Sequence, residues 1–441
     1  MKYYSTSHQA SLATLRYAVE HGLAPDKGLY MPERIKQLPS IFFNNIDKLT
    51  FQQIAFEVAK YLFEEDIDEN SLKTIVFDTL SFDTPIKHVQ DNLYSLELFH
   101  GPTLAFKDVG ARFMARMLQY FIRKGNDAQK KVNVLVATSG DTGSAVANGF
   151  LGVENIHVYV LYPMGKVSHI QESQFTTLGS NITALEVDGS FDDCQALVKQ
   201  AFLDADLKQL TLTSANSINV ARLLPQAFYY FNAYAQLKRL GVINSIRQSL
   251  VFCVPSGNFG NLTAGLIAAR MGLPVSHFIA GNNANDEFYQ YLETGNYTPR
   301  PSIPTLANAM DVGAPSNFAR ILDLYSNNFT ALKNAISSDT FTDDEIRHIM
   351  NECYQSTGYI LDPHGACAYQ ALRKQLRPGE VGVFLETAHP AKFKEKVDAI
   401  DGIDIEIPER LQKFMKGTKS TVKMTKDYGS FKNFLLSEAK G

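Results

Sequence analysis

Short β-rich runs alternate with longer segments of helical periodicity over residues 91–400. The runs at 132–137, 157–162, 182–187, 250–254 and 381–385 read as strands, and this alternation marks α/β units on a mostly parallel sheet. Between them, Val109, Phe113, Met117 and Phe121, with Met114 and Leu118 beside them, form a helical stripe that needs a sheet face to cover. Residues 1–90 mix short helical patterns with turn signals such as Gly22-Leu-Ala-Pro-Asp-Lys-Gly-Leu-Tyr-Met-Pro32, and they read as an N-terminal subdomain. Residues 411–441 carry seven lysines, from Lys413 to Lys440, and read as a basic appendage that is either solvated or weakly attractive to anions.

Composition narrows the choice of function. At 441 residues the chain exceeds the roughly 250–300 residues at which single cores stop growing, so two or more lobes are expected. Lys plus Arg number 42 against 46 Asp plus Glu, a net charge of −4 that gives no field for drawing in a polyanion. No nucleic-acid partner is expected. Apolar runs such as 250–254 fall far short of the roughly 20 residues of a membrane-spanning helix, and the first residues show no leader pattern. A cytoplasmic protein without a membrane partner is therefore expected. Cys194, Cys253, Cys353 and Cys367 form no C-x-x-C pair and read as reduced packing residues, and without an HExxH or Cys/His cluster no metal is expected.

Two glycine-rich turns suggest anion binding. In the first, the 250–255 strand runs into Ser256-Gly257-Asn258-Phe259-Gly260-Asn261 and then an Ala-rich segment. Glycines let a ligand approach the backbone, and the first N–H groups of a helix, with its dipole, suit a phosphate. Neither a Walker lysine motif nor the G-x-G-x-x-G dinucleotide spacing is present. The second turn, Thr138-Ser139-Gly140-Asp141-Thr142-Gly143, suits a carboxylate or phosphate, and equally well plain helix capping. A simple strand-to-helix turn remains open for both.

The third segment is Phe99-His100-Gly101-Pro102-Thr103-Leu104-Ala105-Phe106-Lys107-Asp108. Lys107 stands where the helical stripe begins, and both a helix N-terminus and apolar neighbours lower an amine pKa. Such a lysine can form a Schiff base with a carbonyl, or it can simply pair with a carboxylate such as Asp108. A lysine, a phosphate turn and a second anion turn together suit pyridoxal 5′-phosphate, which carries an aldehyde and a phosphate.

These segments, with Ser316-Asn-Phe318 and Leu385-Glu-Thr-Ala-His-Pro-Ala-Lys-Phe393, resemble the threonine synthases, pyridoxal-phosphate enzymes of fold type II. The resemblance implies two α/β lobes around a cofactor cleft plus an N-terminal subdomain. Residues 100–220 would form the small lobe, and 91–99 with 221–410 the large one. It implies Lys107 as the cofactor lysine and catalytic base, the turn Ser256, Gly257, Asn258, Phe259, Gly260 and Asn261 as phosphate holder, and Thr387 at the pyridine nitrogen. Asp141 would lie near the cofactor's 3′-oxygen. Thr138, Ser139, Gly140 and Thr142 would take the substrate carboxylate, and Lys166, Ser168, Asn219 and Arg222 its phosphate. His100, His364 and His389 are candidate proton shuttles by residue type only, a lone histidine being more often structural. The implied reaction turns O-phospho-L-homoserine and water into L-threonine and phosphate, in a monomer or weak homodimer. A serine or threonine dehydratase, or a non-catalytic phosphate- or RNA-binding module, are the alternatives.

Overall fold

The computed structural model describes residues 1–125, 131–244 and 248–438. They form two compact units, each gathered from separate stretches: Met1–Pro32, Lys107–Arg222 and Ile407–Gly441 in the first, Glu33–Phe106 and Leu223–Glu406 in the second.

The main sheet of the first unit has five parallel strands in the order Val422–Thr425, Ile182–Asp188, Ile156–Pro163, Val132–Ala137, Leu212–Ser214. A small antiparallel sheet joins Ala13–Thr14, Lys2–Ser5 and Tyr30–Pro32. The helical stripe of Val109, Phe113, Met114, Met117, Leu118 and Phe121 lies buried on the helix Lys107–Lys124. That helix crosses Asp141–Phe150 closely, where a Cβ on Gly149 would come within 3.1 Å of the backbone at Ala111 and Arg112.

The sheet of the second unit has six strands in the order Ile336–Thr340, His277–Asn282, Leu250–Pro255, Val381–Glu386, Leu93–Glu97, Ile86–Gln90. All neighbours are parallel except the last pair. Leu250–Pro255 and Val381–Glu386 are buried along their whole length, as strands covered on both faces must be, which is why they read as continuous apolar runs. The helix Pro363–Gln375 covers these two strands and His277–Asn282.

The division differs from the expected one at both ends of the chain. Residues 1–90 are shared between the units. The helix Leu15–His21 packs on Leu212–Ser214 and on Lys107–Lys124 in the first unit, whereas Phe51–Phe63 packs on Phe228–Arg239 in the second. The tail is no appendage. Val422–Thr425 extends the sheet as an edge strand, and Tyr428–Glu438 packs against Phe191–Leu203, burying Phe431 and Leu435 in the core of that unit. Three of its lysines meet acids: Lys413 reaches Glu409 at 3.0 Å, Lys419 reaches Glu172 and Glu186, each at 2.7 Å, and Lys432 reaches Asp204 at 2.9 Å and Asp206 at 2.6 Å. Lys440 lies outside the described residues.

All four cysteines are unbonded and buried, and burial pushes the Cys194 thiol up to about 12 and those of Cys253 and Cys367 well above the ordinary range. Among the described residues no helix is long and apolar enough to cross a membrane. Because Phe431 is fully buried, Phe431→Ala is expected to cost about 3–5 kcal/mol, measured as a lowered urea midpoint. An unchanged midpoint would mean the tail contributes nothing to the core.

Candidate active site

The Leu250–Pro255 strand leads into the 256–261 turn, whose polar side chains are used to build it. Ser256 Oγ donates to Val254 O at 2.8 Å, and Asn261 Nδ2 to Pro255 O at 3.0 Å, while Asn261 Oδ1 accepts from Leu262 N at 2.9 Å. Asn258 is clasped by the 316–317 segment: Ser316 N donates to its Oδ1 at 2.5 Å, and Asn317 Nδ2 to its carbonyl at 3.0 Å. Buried Arg320 donates to Asn317 Oδ1 at 2.7 Å, and burial pulls its guanidinium down to about 9. Phe259 sits at φ 59°, a left-handed conformation uncommon outside glycine.

What this turn offers an anion is backbone. The N–H groups of residues 257–261 precede the helix's own ladder, in which Thr263 N donates to Phe259 O at 2.9 Å. Neutral N–H donors at the positive end of the helix Gly260–Arg270, with no carboxylate in the turn, fit a phosphate.

The second component is the segment that carries Lys107. Leu98 N donates to Glu386 O and Phe106 N to Thr387 O, each at 2.9 Å, and His389 N donates to Leu104 O at 3.1 Å. Lys392, 1% exposed, donates from Nζ to Thr103 O at 3.0 Å. Leu104 takes φ 55°, a conformation that side chains disfavour and that these bonds hold in place. Lys107 follows Phe106 by one peptide bond and opens the helix Lys107–Lys124, where the dipole disfavours an ammonium. Val381–Glu386 lies beside Leu250–Pro255, so Thr387 and the phosphate turn sit at the same edge of one parallel sheet, on strands roughly 4.8 Å apart. Ligands bind at this carboxyl edge in open α/β sheets.

The three histidines take different parts. His389 Nδ1 accepts from Ala391 N at 3.1 Å, and burial, with His100 nearby, lowers its pKa to about 4, so it is neutral. His100 Nε2 pairs with Glu97 Oε2 at 2.8 Å, and Tyr359 donates to Glu97 Oε1 at 3.2 Å. His364, 2% exposed, accepts at Nε2 from Ala309 N at 3.1 Å and donates from Nδ1 to Asp362 Oδ1 at 2.5 Å, which makes it structural.

In the first unit, Thr138 Oγ1 accepts from Gly140 N at 2.9 Å and Gly143 N at 2.8 Å, holding the second turn closed. Ser139 and Thr142 are half-buried on it. Gly140 has φ 139° and lies under the Gln171 amide, where any Cβ would collide at 2.7 Å. Gln171 Nε2 donates to Asp141 Oδ1 at 2.9 Å. The sequence reading missed Gln171, although Ser168-His-Ile-Gln171 has capping-box spacing. Ser168 caps the helix His169–Thr176, accepting from Gln171 N at 3.2 Å, and Lys166 is exposed.

Arg222 is 2% exposed, donates to Ala215 O and lies near Asp108. Asn219 leaves the proposed phosphate pocket. It is fully buried, Nδ2 donating to Val19 O at 2.9 Å and Ser214 O at 3.1 Å while Oδ1 accepts from Ala221 N at 3.0 Å, so its amide is already committed.

Three family models match the chain: "Threonine synthase N terminus" over residues 2–80, "Pyridoxal-phosphate dependent enzyme" over 79–387 and "Threonine synthase, C-terminal" over 365–435. With the sheet edge described above, they define a pyridoxal-phosphate-dependent enzyme of fold type II. The threonine synthase of Haemophilus influenzae is 45% identical over 440 residues, covering 99% of this chain and 100% of the relative. The crystal structure of threonine synthase from Escherichia coli superposes with a TM-score of 0.92 at 41% identity, covering 99% of this chain and 100% of that one. A PLP-bound threonine synthase from Brucella melitensis gives 0.92 at 32% identity over the whole of both chains. The chain belongs to the threonine synthase family.

The turn's geometry predicts the effect of a single methyl group. A Cβ on Gly257 would lie 2.9 Å from Ala309 O and Met310 Cα, both backbone atoms that cannot swing aside. Gly257→Ala is expected to weaken cofactor retention at least about tenfold, about 1.4 kcal/mol, in an absorbance titration. Unaltered affinity would remove the turn as phosphate holder.

Proposed function

We propose that Lys107 is the residue that holds pyridoxal phosphate and then serves as the base in converting O-phospho-L-homoserine and water to L-threonine and phosphate. The observation carrying this reading is the bond from Phe106 N to Thr387 O, which fixes the backbone one residue ahead of Lys107 at the sheet edge bearing the phosphate turn. Bound there, the cofactor supplies an electron sink for the charge that develops on substrate carbon. Lys107 takes the proton from Cα and then moves one at Cβ. Phosphate leaves Cγ, that carbon is protonated, and water adds at Cβ.

The other chain residues bind and orient. The backbone N–H groups of Gly257 to Asn261 take the cofactor phosphate. The Thr387 hydroxyl serves the ring nitrogen without forcing its protonation, as a carboxylate would. Asp141, oriented by Gln171, is assigned to the 3′-oxygen. Thr138, Ser139, Gly140 and Thr142 take the substrate carboxylate, and Lys166, Ser168 and Arg222 its phosphate, Arg by a planar fork and Lys by a point charge. A monomer or weak homodimer in the cytoplasm belongs to the same reading; the net charge of −4 supports the absence of a nucleic-acid partner.

Lys107→Ala is expected to abolish both the visible absorbance of the bound cofactor and its fixation by borohydride. A variant that still forms a borohydride-stable adduct and turns over normally would refute the assignment. Lys166 is exposed, so Lys166→Ala should leave the melting temperature unchanged yet lower kcat/KM for phosphohomoserine by about 1.5–3 kcal/mol, the range for a hydrogen bond to a charged group. Equal kcat/KM in the two proteins would take Lys166 out of the phosphate pocket.

A further inference from the structure

Beneath the strand end that carries Thr387 lies a buried acid cluster that the reaction above does not use. Glu386 and Asp362 are both fully buried, and their carboxyl groups meet. Asp362 Oδ1 is well supplied, accepting from His364 N at 2.6 Å, His364 Nδ1 at 2.5 Å and Gly365 N at 3.4 Å. No hydrogen bond of ordinary geometry reaches Asp362 Oδ2 or either oxygen of Glu386; the one backbone group that favours the Glu386 carboxylate, the Asp362 N–H, is outweighed by burial and the Asp362 charge. The Glu386 carboxyl lies flat on the start of the helix Pro363–Gln375, where a Cβ on Gly365 would fall 1.9 Å from its Oε1. Two ionised carboxylates in contact and out of water are too costly to coexist, and one proton between them satisfies the orphaned oxygens.

We propose that Glu386 is a neutral carboxylic acid that donates its proton to Asp362 Oδ2, and that this locked pair is a positioning device for the Glu386–Thr387 strand end. His364 cannot supply the proton instead, because Ala309 N donates to its Nε2 and its single remaining proton already points at Asp362 Oδ1. The other ionisable neighbours are Glu97, the register partner of Glu386 on the next strand, and Tyr359, which donates to Glu97. Of these, Glu97 adds to the pressure against a second negative charge, and Tyr359 is neutral: burial, then Asp362, then Glu97 hold the Glu386 carboxyl well above the carboxylate range, while the bonds from His364 keep Asp362 ionised. Glu386 O also accepts from Leu98 N and Thr387 O from Phe106 N, so the pair anchors the strand end on which the Lys107 segment hangs. The consequence for the cofactor rests on the assignment of Thr387 above; the shared proton does not.

Infrared spectroscopy of the full chain at pH 8 tests the proton directly. A protonated-carboxyl stretch should be present in the wild type and absent from E386Q. Asp311 and Asp401, raised by burial only to about 6, are ionised at that pH and do not contribute. Linkage gives a second reading. Folding takes up a proton at Glu386, so its contribution is fully present below the ordinary carboxyl pKa and is lost as pH rises toward the folded value. Relative to E386Q, the wild-type unfolding constant should therefore increase up to tenfold per pH unit above about 4.5, whatever constant offset the substitution adds.

For positioning, E386A should weaken cofactor affinity at least tenfold and E386Q should recover most of that loss. No protonated band, or parallel pH profiles, would overturn the shared proton. Equal affinity losses in E386A and E386Q would overturn the positioning role. Thr387→Val reports separately on the ring-nitrogen assignment, because it leaves the infrared band in place if only that assignment is wrong.

Discussion

The hydrogen bond from Phe106 N to Thr387 O joins two parts of the chain that the proposed reaction needs at one place. On one side of it the chain continues to Lys107. On the other, Thr387 closes a strand whose parallel neighbour feeds the phosphate turn. Without that bond, the left-handed turn at Leu104 has less to hold it, and the lysine's starting point becomes free to move. Around it, Lys392 pins Thr103 O and His389 N pins Leu104 O, so the whole approach to the lysine is fixed through its main chain. Catalysis by positioned groups loses rate steeply with misplacement of about 1 Å, and main-chain fixation limits it.

The phosphate turn follows the same economy. Its side chains are spent on making the loop, Ser256 and Asn261 bonding back to the strand and Asn258 to the 316–317 segment, and on the proposed reading it is the main chain at the helix start that meets the anion. An anion held by N–H dipoles brings no mobile counter-cation and leaves no flexible side chain to order on binding. The clasp at Asn258 by Ser316 and Asn317, backed by buried Arg320, keeps those peptides in one arrangement.

The interior strands were readable in the sequence because strands covered on both faces have no polar alternation to obscure them, and the same holds for the buried stripe of Lys107–Lys124. The tail strand was not readable. Val422–Thr425 is mostly exposed and carries a lysine, so its pairing with Ile182–Asp188 leaves no apolar signature. Within the site, the glycine turns and Lys107 announced themselves by local chemistry. Lys392, whose partner Thr103 lies 289 residues away, and Asn219, whose partner Val19 lies 200 away, could not, since nothing near them in sequence shows where their polar atoms end. The acid pair of Asp362 and Glu386 was hidden for the same reason.

The chain passes between its two units four times, and the first unit's main sheet receives its last strand only from the stretch beginning at Ile407. During synthesis from the N-terminus, the second unit therefore has all its residues before the first has its outer strand. Until then Ile182–Asp188 is a bare sheet margin, able to pair with a neighbouring nascent chain. Val422–Thr425 covers that margin with a short, mostly exposed strand bearing Lys423, a poorer template for further pairing than the long apolar strand beneath it.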